Sequence, residues 1–352
     1  MNILKNHILK KINNNMLPML LVVFTVTLIV FSSSNLVAAK SGIVLWATSI
    51  VPSVFPFFVA TELISNTQIP YLLGKIFTPF MNPLFNINGE GSFALIFGII
   101  CGYPMGAKIT CNLRKQNVLK RDECERLLSF TNNSGPMFIL GTVGIMMYGN
   151  SLIGFLLLIS HILSCLTVGL LFRFWKKNKK NNDRTNIKIN QSLNFNGIHL
   201  SNLGELLSKS ISSSISSIMM VGGFVVLFSV IISIFKTSRL LNILTFIISP
   251  SLRVINIPSS FVAPLITGFL EITNGISLIS SVPIKAISVN IILTSFLLGT
   301  GGLSVFLQVS SIVSKTDISI KPYIYGKLLQ GLISALYTFL FMQVFPFFNF
   351  NL

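Results

Sequence analysis

Residues 102–110 read GYPMGAKIT, in the middle of an apolar run. Pro104 breaks helical continuity, because proline lacks an amide proton and disfavours helical geometry at Tyr103 before it. Gly102 and Gly106 flank the break, and Lys108 follows it. Inside a bilayer, backbone leaves helical geometry only where protein or a water-lined cavity satisfies its polar groups. The stretch therefore predicts an interrupted membrane helix that presents backbone and a cation to an enclosed site.

The composition agrees with a membrane setting. The chain has 352 residues, of which 52% are hydrophobic and 10% charged, against about 25% charged in a soluble domain. Mean hydropathy is +0.78. Apolar segments run over 17–39, 43–64, 70–87, 92–110, 127–149, 151–172, 211–235, 240–257, 260–283, 286–310 and 323–346. Several approach the ~20 residues needed to cross a bilayer core. The formal charge of +17 reads as basic cytoplasmic loops. No aromatic-plus-basic motif points to nucleic acid, so the expected surroundings are a lipid bilayer.

Cys101, Cys111, Cys124 and Cys165 form no C-x-x-C pair, and His7, His161 and His199 stand at no metal-ligand spacing. No bound metal or other cofactor is expected, and the cysteines read as small apolar residues. Lys5, Lys10 and Lys11, the apolar run from Leu17 to Phe31 and then Val37-Ala38-Ala39 resemble a signal peptide. The favoured reading is a retained first helix over 17–39.

A polar stretch over 173–209 divides the chain into two membrane repeats, 1–172 and 210–352. Its lysines and arginines mark it as a cytoplasmic linker. The halves resemble each other. LIFG (95–98) leads to GYPMGAK, and LITG (265–268) leads to FLEITNG (269–275). SFTNNSGPMFIL (129–140) aligns without gaps to SFLLGTGGLSVF (295–306), setting Ser129, Phe130 and Gly135 on Ser295, Phe296 and Gly301. If 43–64 and 211–235 are re-entrant hairpins and 70–87 and 240–257 lie along an interface, the halves run in opposite directions. That arrangement puts every lysine and arginine except Lys40, Lys75 and Lys285 on the inner side, including those of 236–253. The expected fold is all-α and polytopic, with inverted repeats and interrupted helices, a transporter pattern.

Most acidic residues fall in polar loops; Glu62 and Glu271 lie in apolar runs, where an ionised side chain costs about 2.5–3.5 kcal/mol at a helix centre. With Thr273 and Asn274, they are the candidate coupling-ion residues. Asn132-Asn133-Ser134-Gly135-Pro136 reads as an unwound island, and Gly299-Thr300-Gly301-Gly302 takes the matching place in the second half. Tyr103, Lys108, Asn132, Asn133, Ser134, Gly135, Thr300 and Gly301 are the candidate substrate residues. Lys108 and a half-helix N-terminus suit an anion. No Ser-His-Asp arrangement appears and GTGG lacks the Lys-Ser/Thr ending of a phosphate loop, so no enzyme is expected.

At GYPMGAKIT, LRKQ (113–116) and ERLLSFTNNSGPMFILGTVG (125–144), the sequence resembles the YlbJ family of sporulation integral membrane proteins, also called SpoVV. GFLEITNG fits the same picture. The resemblance implies a gate domain, here over 43–149, and a distant similarity to concentrative nucleoside transporters, whose inverted repeats carry re-entrant helical hairpins. It also implies movement of dipicolinic acid, a small aromatic dianion, from the mother cell across the mother-cell-derived outer forespore membrane toward the forespore. Phe138 and Tyr103 would suit its ring. Glu271 would oppose a dianion unless it is protonated or holds a cation, so a coupling proton or sodium ion is its expected partner. A homo-oligomer or other sporulation membrane proteins are further expected partners. A nucleoside or other small-metabolite transporter is the alternative, and a non-transporting scaffold for spore maturation the second.

Overall fold

The computed structural model describes residues 2–176, 203–254, 256–283 and 288–348, with side chains from residue 16 onward. All regular structure among these residues is helical. Two long helices, Ser32–Ser65 and Leu203–Thr237, are apolar and long enough to span a membrane. They pack antiparallel. Trp46 Nε1 donates to the Ile218 carbonyl at 3.0 Å, and Ser233 Oγ donates to the Ser34 carbonyl at 3.3 Å.

These helices contain 43–64 and 211–235, which are therefore continuous and not re-entrant. Pro52 is absorbed by a widened turn just before it, where the Val51 amide bonds the Trp46 carbonyl five residues back. In the second helix, hydroxyls such as Ser217 Oγ bond the carbonyl one turn back, Ser213 at 2.9 Å. Such a bond lets a serine sit inside a long helix.

The re-entrant hairpins lie elsewhere. The first is Gly91–Cys101 and Met105–Lys115, turning at Gly102-Tyr103-Pro104; the second is Val262–Leu270 and Ile272–Ser280, turning at Glu271. Glycines let the arms touch. A Cβ at Gly98 would lie 3.1 Å from the Gly106 Cα, and one at Gly275 would overlap Gly268. Gly98 and Gly268 close the paired LIFG and LITG segments, so the internal repeat is a repeat of hairpin crossings.

Each hairpin is followed by an interrupted helix. Arg121–Thr131 and Phe138–Met147 are separated by the Asn132–Pro136 island, and Ser288–Thr300 and Gly302–Val313 break at Gly301. Ser151–Phe172 and Lys321–Val344 complete the bundle as spans. Ile69–Phe85 and Leu240–Val254 are the short helices that precede the hairpins. The expected first helix over 17–39 is divided at Phe31. Asn35 Nδ2 donates to the carbonyls of Thr27 and Leu28 there, bracing the joint from the next helix. Of the expected linker, 177–202 lies outside the described residues, and Leu203–Lys209 is already helical.

Ion pairs define one end of the bundle. Arg114 holds Asp317, Lys176 holds Asp122 and Glu125, and Arg126 donates to the Trp175 carbonyl. Lys115, Lys209 and Lys315 line one basin at the same end. The positive-inside rule makes this end cytoplasmic. The first hairpin enters from it and the second from the opposite end, so the repeats are inverted. Lys236, Arg239 and Arg253, expected inside, flank the outer short helix instead, because Leu203–Thr237 crosses the membrane.

Candidate functional site

Three helix interruptions line one cavity, and the fourth, Gly301, packs against Tyr103 of its wall. The cavity is lined by Gly102 and Tyr103 of the first hairpin, Ser134, Gly135 and Phe138 of the first interrupted helix, Glu271 and Thr273 of the second hairpin, and Ser304 and Gln308 of the second interrupted helix. Ser53, Val221 and Val225 of the long helices close its side. Gly102 has φ +81° and ψ −170°, a conformation open essentially to glycine alone. A Cβ there would sit 2.8 Å from the Gly135 amide nitrogen. Gly102 thus permits both the turn and its close approach to the first interruption.

Tyr103 ties the halves together. Its hydroxyl donates to the Leu298 carbonyl at 3.0 Å, and its ring lies against Gly301, which has φ +80°. Glu271 is buried and caps the Ile272–Ser280 helix. Its carboxylate accepts from the amides of Thr273 (3.1 Å) and Asn274 (2.8 Å) and from Asn274 Nδ2 (2.9 Å). Capping by a carboxylate complements the positive end of the helix dipole. No ion pair holds Glu271 among the described residues.

The other candidates fall in two places. Asn132 and Asn133 are fully buried behind the cavity wall. Asn132 Oδ1 accepts from the Ala107 amide at 3.4 Å, Asn133 Nδ2 donates to the Phe130 carbonyl at 2.8 Å, and Asn133 Oδ1 accepts from Gln330 Nε2 at 2.8 Å. They hold the island's shape, and Thr300 at the second break bonds its own helix, its hydroxyl donating to the Leu297 carbonyl. Lys108 and Glu62 pair with each other, and Lys108 also donates to Ser213 and Ser217. This pair borders a separate cytoplasmic basin lined by Lys108, Lys115, Lys209, Lys315 and Asn112. Lys108 is therefore in the approach to the cavity and not at its wall.

The sequence reading missed Lys327, His161, Gln308 and Gln330. Lys327 is 3% exposed, and among the described residues no carboxylate pairs with it. Its signal was its place inside the apolar segment 323–346, where an ionisable side chain stands out. His161 Nε2 accepts from the Ser134 amide at 3.2 Å, so that nitrogen carries no proton. Gln308 Oε1 is buried without a partner in the chain, and its side chain lines the cavity. A buried acceptor of this kind is satisfied by water or a ligand.

The sporulation integral membrane protein YlbJ of Bacillus subtilis is 35% identical over 341 residues, covering 94% of this chain and 83% of that protein. The chain belongs to the YlbJ family of sporulation integral membrane proteins. Residues 47–173 match the Gate family, described as nucleoside recognition. Among solved structures, CNTnw in an inward-facing substrate-bound state is 14% identical with a TM-score of 0.51, covering 96% of this chain and 86% of that one. A variant of CNTnw in an intermediate state gives the same identity and TM-score over 96% and 87%. This family member therefore has the fold of the concentrative nucleoside transporters: an integral membrane protein with two inverted repeats and re-entrant hairpins.

Proposed function

We propose that this protein transports a small planar anion, dipicolinate, from the mother-cell cytoplasm across the outer forespore membrane toward the forespore by alternating access. The observation that carries the transport reading is the convergence of three helix interruptions on one cavity, with the fourth, at Gly301, packed behind Tyr103. Interrupted helices place half-helix ends and unpaired backbone at the bilayer midplane, where a solute replaces water. The family resemblance supplies dipicolinate as the solute. The basin of Lys115, Lys209 and Lys315 on the cytoplasmic side supports an anion, since a cleft with an excess of one sign of charge raises the local concentration of its counter-ion. Tyr103 and Phe138 offer ring faces, and Ser134, Thr273 and Gln308 offer polar groups. Glu271 is the group that would take up a coupling proton.

A nucleoside is the second reading, favoured by Glu271 itself, because a carboxylate facing the cavity suits the hydroxyl donors of a sugar. Reconstituted protein in liposomes separates the two. Dipicolinate flux above empty liposomes is expected, together with a weaker or absent uridine flux. Uridine flux alone would put the nucleoside first. Folded protein that moves neither would leave a scaffold.

A further inference from the structure

Lys327 is a buried cation whose ligands are oxygens. Its Nζ donates to the Asn132 carbonyl at 3.0 Å and to Gln330 Oε1 at 2.7 Å, and it stands 5.2 Å from the centroid of the Tyr103 ring. Asn132 is the residue at which the Arg121–Thr131 helix ends. Its carbonyl lies at the negative end of that half-helix, where positive charge is favoured. Freed carbonyls and half-helix C-terminal ends are also what coordinates alkali ions in transporters with interrupted helices. Backbone carbonyl, amide oxygen and aromatic face therefore make a monovalent cation site, and a covalently attached ammonium fills it.

The surrounding packing is built for that filling. A side chain at Gly326 would collide with the Ser129 carbonyl, so the glycine before Lys327 brings the last helix onto the end of the first interrupted helix. Gln330 is shared between Lys327 and Asn133, which fixes the amide oxygen toward the ammonium. His161, on the far side of Ser134, faces the cluster as a hydrogen-bond acceptor and not as a second cation.

We infer that Lys327 is a tethered cation filling a monovalent-cation site at the end of the Arg121–Thr131 half-helix, so that solute binding and transport need no sodium at this site. The transport half of this inference rests on the reading given above. Its consequence is that coupling falls to another group, for which Glu271 at the second hairpin is the candidate.

The test uses the full chain in detergent and in liposomes. Melting temperature and dipicolinate flux of the wild type are expected to be equal in sodium, potassium and choline chloride. Lys327→Ala is expected to melt lower and to lose about tenfold or more in flux. Methylammonium or sodium is expected to raise its melting temperature while leaving the wild type unmoved, because a ligand stabilises only a protein with a vacant site for it. Lys327→Arg should keep more flux than Lys327→Gln. Where Lys327→Ala does not fold, Lys327→Gln takes its place. Sodium-specific stabilisation or flux in the wild type would overturn the inference, as would a Lys327→Ala variant with unchanged melting and flux. Absence of dipicolinate flux in folded wild type would end the dipicolinate reading only, since the melting comparisons still decide the cation.

Discussion

Lys108 and Glu62 form an ion pair between the first hairpin and the long Ser32–Ser65 helix, and Ser213 and Ser217 of the other long helix complete the lysine's hydrogen bonds. Three elements that must keep their spacing meet at one ammonium. Both side chains are largely buried, at 19% and 17% exposure. Removing either partner leaves a poorly solvated charge, so Lys108→Ala and Glu62→Ala should each lower stability by about 1–2 kcal/mol. The double variant should cost less than the sum. Melting of the four proteins in detergent checks this, and strict additivity would mean that the pair contributes no coupling.

The hairpin crossings tolerate no added carbon. Gly275→Ala would push a methyl into Gly268, and Gly98→Ala would push one into the Thr131 carbonyl. Each should destabilise by about 1–3 kcal/mol, the usual range for overpacking. Gly223, inside the Leu203–Thr237 helix, has open space around it. Gly223→Ala should be neutral or stabilising by up to about 1 kcal/mol through helix propensity. Equal losses at all three positions would contradict the crossing geometry.

Glu271 has a capping role and a proposed coupling role, and two substitutions separate them. Glu271→Ala removes the acceptors for the Thr273 and Asn274 amides and should cost about 1 kcal/mol, a typical N-cap loss. Glu271→Gln keeps an oxygen acceptor but cannot exchange a proton. It should retain most of the stability while its dipicolinate flux no longer responds to a proton gradient. A Glu271→Gln protein whose flux still follows the gradient would remove Glu271 from coupling.

At the cytoplasmic face, Arg114 bonds Asp317 through both carboxylate oxygens, at 2.8 and 2.7 Å. The guanidinium's hydrogen bonds, then its charge, hold the Asp317 carboxyl below its usual range. A group lowered on folding stabilises above its unfolded pKa, about 3.9 for aspartate. That contribution fades as pH falls through the lower folded value. Asp317→Asn should therefore melt lower than wild type at pH 7, with the gap narrowing in acid below about pH 4. A gap that stays constant down to acid would show that the bridge carries no linked stability.

Much of this fold was legible in the chain. Gly102-Tyr103-Pro104, the Asn132–Pro136 island and Gly301 carry their conformational demands locally, through proline's missing donor and glycine's freedom at positive φ. Their interruptions could be placed from residue type alone. Segment 151–172 was bounded to the residue, because its apolar run ends at Asn150 on one side and Arg173 on the other. The match of LIFG to LITG and of 129–140 to 295–306 exposed the repeat.

The hairpins were misplaced for a physical reason. Segments 43–64 and 211–235 read as hairpins because that puts most basic residues on the inner side, yet both lie within continuous long helices, the first with one widened turn before Pro52. The true hairpin arms are 9 or 11 residues long, too short to stand out from a spanning run. What makes them hairpins is a contact between glycines that periodicity does not register.

Residence in a membrane, interruption of the helices at particular glycines and prolines, and the repetition of the halves were all readable in the chain. Those properties belong to each residue and its neighbours in the chain. Which polar groups face solute and which hold the scaffold depends on how the helices pack. Lys108 and Lys327 look alike in sequence, but one is neutralised by a carboxylate 46 positions away in the numbering, and the other sits between the Asn132 carbonyl of a distant segment and Gln330 of its own helix. A charge takes its role from its partners, and partners distant in the chain are brought together only when the helices pack.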